Sequence, residues 1–224
     1  MNKNNLFSSL TLLGLFVFSS CNLDLAPEDT LSPKTYFKNG PQLELWTNHF
    51  YSLFPDVDDL AKQNADDNIS SELGETLMGQ RSAASENGWT WERLRDINYY
   101  LQHSNQCPDE HVRKQYDGVA YFFRAYFYFD KVKRYGDVPW YDQVLNSNDD
   151  KLLAKPRQDR EIIMDSVMQD LDKAIGMLPT KKDQVRVTKW TALALKSRVA
   201  LYEGTFRKYR GMNDAEKYLK QAVA

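Results

Sequence analysis

Val119-Ala-Tyr-Phe-Phe-Arg-Ala-Tyr-Phe-Tyr-Phe129 decides the fold. The run carries one charge, Arg124, and is otherwise apolar or aromatic almost all round a helical wheel. A helix of that kind is packed on several faces rather than lying on a surface. Outward from it, Pro108 breaks the preceding segment, and Asp109 and Glu110 supply an N-cap and a first-turn acid. Lys131, Lys133 and Arg134 suit the C-terminal turn, and Gly136 suits the residue just past it. These signals predict a helix from Asp109 to about Tyr135. A guanidinium inside such a helix must be paired and hydrogen-bonded, or escape to the surface. A structural pair with a carboxylate of a neighbouring helix is the expectation for Arg124.

The flanking segments read as further helices. Pro41 starts one over Leu43–Phe54, with Leu43, Trp46, Phe50 and Phe54 at helical spacing and Pro55 as the stop. A second covers Trp89–Asn105, with Leu94, Ile97, Tyr100 and Leu101 on its apolar face. After an irregular link over 136–157, a fourth runs from about Asp159 to Leu178. Its stripe of Ile163, Val167, Leu171, Ala174, Ile175 and Leu178 has acidic residues on the far side, and Pro179 ends it. Thr188 caps a fifth, closed by Gly204, in which Ala192, Ala194 and Ala200 permit close approach of a neighbour. A sixth begins near Asn213, and the chain stops inside it with no stop signal, which reads as a truncated end. No segment alternates with period two, so no sheet is expected. The fold class is all-α, with tetratricopeptide-like antiparallel helix pairs and long irregular loops.

The start of the chain has a different character. Lys3, an apolar run from Leu6 to Phe18, and then Phe18-Ser19-Ser20-Cys21 make a secretory signal. The run is shorter than the roughly 18–20 apolar residues that span a bilayer. A cysteine after the small pair resembles the lipobox of bacterial lipoproteins, in which Cys21 is acylated with a palmitate-type anchor and becomes the new N-terminus. The chain of 224 residues has a formal net charge of −2, and losing residues 1–20 removes only Lys3, giving −3. That balance excludes an electrostatic case for nucleic acid. With Cys21 lipidated, Cys107 has no partner and reads as a passive thiol. His49, His103 and His111 lack the spacing of paired metal ligands on one helix face. Neither a phosphate-cradling glycine loop nor a nucleophile elbow occurs. No metal or cofactor is expected.

Residues 55–88 form a long polar stretch, and loops of that length are often functional. The bland reading is a solvated surface loop. Its carboxylates are of the type that holds calcium, though their spacing does not fit an EF-hand. Within it, Asp66, Asp67 and Asn68 are candidates to hydrogen-bond sugar hydroxyls. Trp89 and Trp91, at the junction with the second helix, are candidates to stack on the apolar C–H face of a sugar ring. The competing reading packs both tryptophans into the helix bundle.

In order and spacing, several blocks resemble the SusD/RagB-type outer-membrane lipoproteins. They are Cys21-Asn-Leu-Asp-Leu-Ala-Pro27, Phe122-Phe-Arg-Ala-Tyr-Phe-Tyr-Phe129, Tyr135-Gly-Asp-Val-Pro-Trp140, Asp170-Leu-Asp-Lys-Ala-Ile-Gly-Met-Leu-Pro179 and Thr188 through Tyr202. The resemblance covers the N-terminal half of such proteins. It implies a lipoprotein signal peptide over 1–20, a lipidated tether over 21–41 and a SusD-like helical domain over 42–224. It also implies a non-enzymatic, surface-exposed outer-membrane protein. Such a protein captures an oligosaccharide, or a peptide, and delivers it to a SusC-like TonB-dependent transporter. The alternative is a helical-repeat scaffold that binds a protein partner and no nutrient.

Overall fold

The structure, a computed structural model, describes residues 35–56, 78–80, 82 and 88–223. The chain divides into units Met1–Tyr36 and Phe37–Ala224, and nearly all described residues belong to the second. The lipobox, the tether up to residue 34, and Asp66, Asp67 and Asn68 lie outside the described residues.

Helix α1 spans Gly40–Asn48 and continues as a 3-10 turn over His49–Leu53. The Asn39 side chain accepts the Gln42 N–H at 3.1 Å, so the start precedes the expected Leu43 and Pro41 sits inside the first turn. Helix α2 covers Glu92–His103, followed by a 3-10 turn over Ser104–Gln106. Trp89 and Trp91 therefore precede this helix instead of opening it. Helix α3, Glu110–Tyr135, matches its sequence signals: Asp109 Oδ1 accepts the Val112 N–H, and Gly136, at φ 71°, follows the last turn. A short α4, Asp150–Leu153, lies within the 136–159 link. Helices α5, Arg160–Met177, α6, Lys189–Tyr209, and α7, Ala215–Val223, complete the series.

Successive long helices pack on one another: α3 on α5, α5 on α6, and α6 on α7, with α1 and α2 against α3. This is the tetratricopeptide-like pairing, and no strand occurs among the described residues. Nor is any described helix long and apolar enough to cross a membrane. Helix α3 is the hub. Phe122, Phe123, Ala125, Phe127, Tyr128 and Phe129 are all buried. Phe123 takes Tyr51 and Phe54 at 4.8 and 5.1 Å between ring centroids.

Buried ion pairs tie the hub to α5, and α5 to α6. Arg124 Nε and Nη2 donate to Asp170 of α5 at 2.6 and 2.8 Å, the planar two-bond geometry that suits a guanidinium. Asp170 is thus not on the outer face of its helix with the other acids; it is 1% exposed. Between α5 and α6, Arg160 donates twice to Glu203 Oε2, and Arg207 donates to Glu203 Oε1 at 2.8 Å.

Two sequence expectations for α6 need correction. The helix runs through Gly204 and ends at Tyr209, because Gly204 marks a close approach rather than a stop. A Cβ there would lie 2.8 Å from the Leu219 side chain of α7. The stop is Gly211, at φ 63°, with the Met212 N–H bonded to Arg207 O at 2.9 Å. Of the three alanines, Ala192 and Ala200 are buried, but Ala194 faces solvent.

Residues from the turn between α5 and α6 reach back to the first helix. Arg186 donates to Glu44 and, at 2.8 Å, to Asn48 Oδ1, and the Val187 N–H donates to the Tyr51 hydroxyl at 3.0 Å.

Candidate functional site

The segment Gly88–Trp91 enters α2 across the side of α3. Lys131 fixes it there: its ammonium donates to the Gly88 carbonyl. The same ammonium lies 4.9 Å from the Phe127 ring centroid and 5.7 Å from that of Trp91. Lys131 is only 5% exposed, so those ring faces and that carbonyl replace much of its water shell.

The two tryptophans differ in setting. Trp89 is 39% exposed, with its ring edge-on to Trp91 at 5.1 Å and to Tyr135 at 4.8 Å. The Arg157 guanidinium stands 4.8 Å from the Trp89 ring centroid. Trp91 is half-buried and meets Phe127 and Tyr141, each at 5.7 Å. It also forms one wall of a cavity of about 270 Å³, completed by Leu94, Asn98, Tyr141, Leu145 and Leu153 and almost wholly apolar.

Asn98 joins this cavity to a second, polar groove of about 500 Å³, lined by Gln102, Tyr121, Arg124, Asp142 and Lys173 among others. Its amide donates to the carbonyls of Tyr141 and Gln143, and its carbonyl accepts from Arg124 Nη1 at 3.3 Å. The chain Asp170–Arg124–Asn98 therefore sets the position of the 141–143 backbone. Tyr128 fixes the same backbone from below: its hydroxyl accepts the Tyr141 N–H at 2.6 Å, and its ring stacks on Trp140 at 4.2 Å. Burial drives the Tyr128 phenol pKa upward, so the hydroxyl stays protonated.

The arrangement combines an apolar wall with convergent amides, a guanidinium and an ammonium, which is the usual composition of a small-molecule site. Among the described residues there is no cluster of three or more His, Cys, Asp or Glu side chains placed to hold a metal. Of the sequence candidates, the structure brings Trp89 and Trp91 together. Asn98, Tyr141, Gln143 and Leu145 were missed. The one available signal was an asparagine following Ile97 on the apolar face of α2.

Residues 44–201 match the family model described as SusD-like, starch-binding and associating with the outer membrane. The chain belongs to the SusD-like family. A SusD-like protein of Formosa agariphila is 26% identical to this SusD-like chain over 247 residues, covering 95% of it and 44% of the relative. A second from the same organism is 20% identical, covering 93% and 45%. The chain thus spans a little under half the length of these curated relatives. Among solved structures, a SusD-like protein from Bacteroides fragilis aligns with a TM-score of 0.66 at 26% identity, covering 88% of this chain and 40% of that one. A laminarin-binding SusD-like protein aligns with a TM-score of 0.59 at 21% identity, covering 75% and 41%. At that identity the likeness concerns the fold.

Proposed function

We propose that the protein is a lipoprotein, anchored through Cys21 in the outer membrane and exposed at the cell surface. It captures an oligosaccharide and passes it to a SusC-like TonB-dependent transporter. The observation that carries this reading is the pairing of the apolar cavity walled by Trp91, with the exposed Trp89 against that ring, and the polar groove beyond Asn98. A pyranose ring has the same two-sided chemistry, with C–H faces for indole and hydroxyls for amide and charged groups. Family membership supports the reading, as does the likeness in fold to a laminarin-binding SusD-like protein. Asp66, Asp67 and Asn68 belong to the proposal as additional hydroxyl partners. We read the site as a binder rather than an enzyme, in keeping with the starch-binding description of the family model.

Titration calorimetry of the purified chain against laminari-oligosaccharides tests the capture step. Trp89→Ala is expected to weaken binding roughly tenfold, about 1.4 kcal/mol. Unchanged affinity in both Trp89→Ala and Gln143→Ala would remove this site from the reading. The transporter step is tested by affinity capture of the tagged lipoprotein from detergent-solubilised outer membranes. A TonB-dependent barrel recovered near one-to-one is expected, and its absence from intact, lipidated protein would count against delivery.

A further inference from the structure

A second groove, of about 750 Å³, opens between the last turns of α3 and the C-terminal half of α6. Its walls include Tyr135, Arg160, Tyr202, Phe206, Tyr209 and Arg210. The arrangement around Phe206 is unusual. The Arg160 guanidinium carbon stands 3.5 Å from the ring centroid and that of Arg210 stands 3.8 Å from it. Two guanidiniums at those heights cannot share one face, so the ring is held between them.

The charges in the groove do not cancel. Glu203, beneath it, is shared by Arg160 and Arg207. Asp137, on the wall, accepts the Arg160 backbone N–H through Oδ1. Arg160 is 8% exposed and uses Nε and Nη2 on Glu203, while Nη1 has no hydrogen-bond partner among the described residues. Arg210 forms no ion pair among the described residues, and Lys133 adds a third cation, shared with Asp130. The chain as a whole is slightly acidic, so this excess of cations is local. Tyr209, 83% exposed, offers an open ring at the rim. Tyr135 links the groove to Trp89, over which Arg157 adds another cation.

We propose that this groove is a binding site for an acidic saccharide, with Arg210 receiving a carboxylate or sulfate, Arg160 adding its charge from the other face of Phe206, and Tyr209 stacking on the ring that bears the anion. The proposal rests on the glycan-capture reading and specifies its ligand class. Guanidiniums match planar and tetrahedral oxyanions with paired N–H donors, and partial burial of Arg160 limits competition from water. Aromatic rings beside them supply the apolar contact that a free inorganic anion does not use.

The test is calorimetry of the intact chain with three probes of equal length: an oligogalacturonate, a sulfated galactan oligosaccharide and a neutral laminari-oligosaccharide. At least one acidic probe is expected to bind. Arg210→Ala and Tyr209→Ala, both at exposed positions, are each expected to weaken that binding at least tenfold and leave neutral binding unchanged. Arg210→Lys is expected to restore part of the loss, and added salt to weaken the acidic probe alone. Neutral binding without acidic binding overturns the proposal and leaves glycan capture intact. Acidic binding that is equal in the Tyr209→Ala/Arg210→Ala double variant, or that inorganic sulfate reproduces at equal affinity, also overturns it. Failure of all three probes removes both readings.

Discussion

Arg124 and Asp170 show what a single residue discloses and what it hides. A lone guanidinium in an aromatic run demands a carboxylate, so the existence of the pair was legible. Its partner was not, because Asp170 sits among acids on an amphipathic helix and nothing local separates a buried acid from a solvated one. Asn98 was hidden for the same reason. Asp170→Ala is expected to cost roughly 3–5 kcal/mol, because it leaves a buried cation unpaired. Replacing both partners with apolar residues, Arg124→Met with Asp170→Leu, is expected to recover most of that loss; urea unfolding measures each. Asp117 provides a second test. Burial raises its pKa above 3.8, opposed by the nearby Ser104 and Tyr100 hydroxyls and by the charge of Arg113. With the folded-state value above the unfolded one, the fold binds more protons, so stability falls as pH rises through that interval. Asp117→Asn is therefore expected to gain stability relative to the parent at neutral pH. The advantage should shrink on acidification toward pH 3.8, as thermal melts across pH will show.

At the scale of elements, Asp109 and Thr188 announce helix beginnings through side chains that act within three residues, whereas Asn39 does the same unread beside the more conspicuous Pro41. A glycine is ambiguous, since it serves both a left-handed end and a tight helix crossing. Gly204 serves the crossing and Gly211 the end, and only the position of Leu219 distinguishes them. Gly204→Ala is expected to destabilise the protein by about 1–3 kcal/mol by forcing α6 and α7 apart. Gly176→Ala, where a methyl meets nothing within 4 Å, is expected to stabilise by roughly 0.5–1 kcal/mol through helix propensity. A pair of denaturant curves with this opposite ordering would confirm that one glycine is a contact and the other is not.

For the whole molecule, the order of helices and the family were legible because both lie in patterns that run along the chain. The candidate site was only half legible. Its tryptophans announce themselves, but the wall facing Trp91 comes from the 136–159 link, whose path is set by bonds to Tyr128 and Asn98 outside it and by Gln158 within it. Tyr128→Phe is expected to cost about 1–3 kcal/mol by stranding the Tyr141 N–H. It should also lower affinity for laminari-oligosaccharides, because the Tyr141–Leu145 wall loses its support; calorimetry and unfolding on one variant check both. The clamp of Arg186 on Glu44 has a different consequence, for timing. The two residues are 142 positions apart, so α1 completes its contacts only after the turn before α6 has emerged. At translation rates that interval is on the order of ten seconds. A chain leaving a ribosome or an export pore with its N-terminus first can bury Phe50 and Phe54 against α3 early, but its Glu44–Tyr51 edge stays open until Val187 clears the exit, when chaperone occupancy should fall.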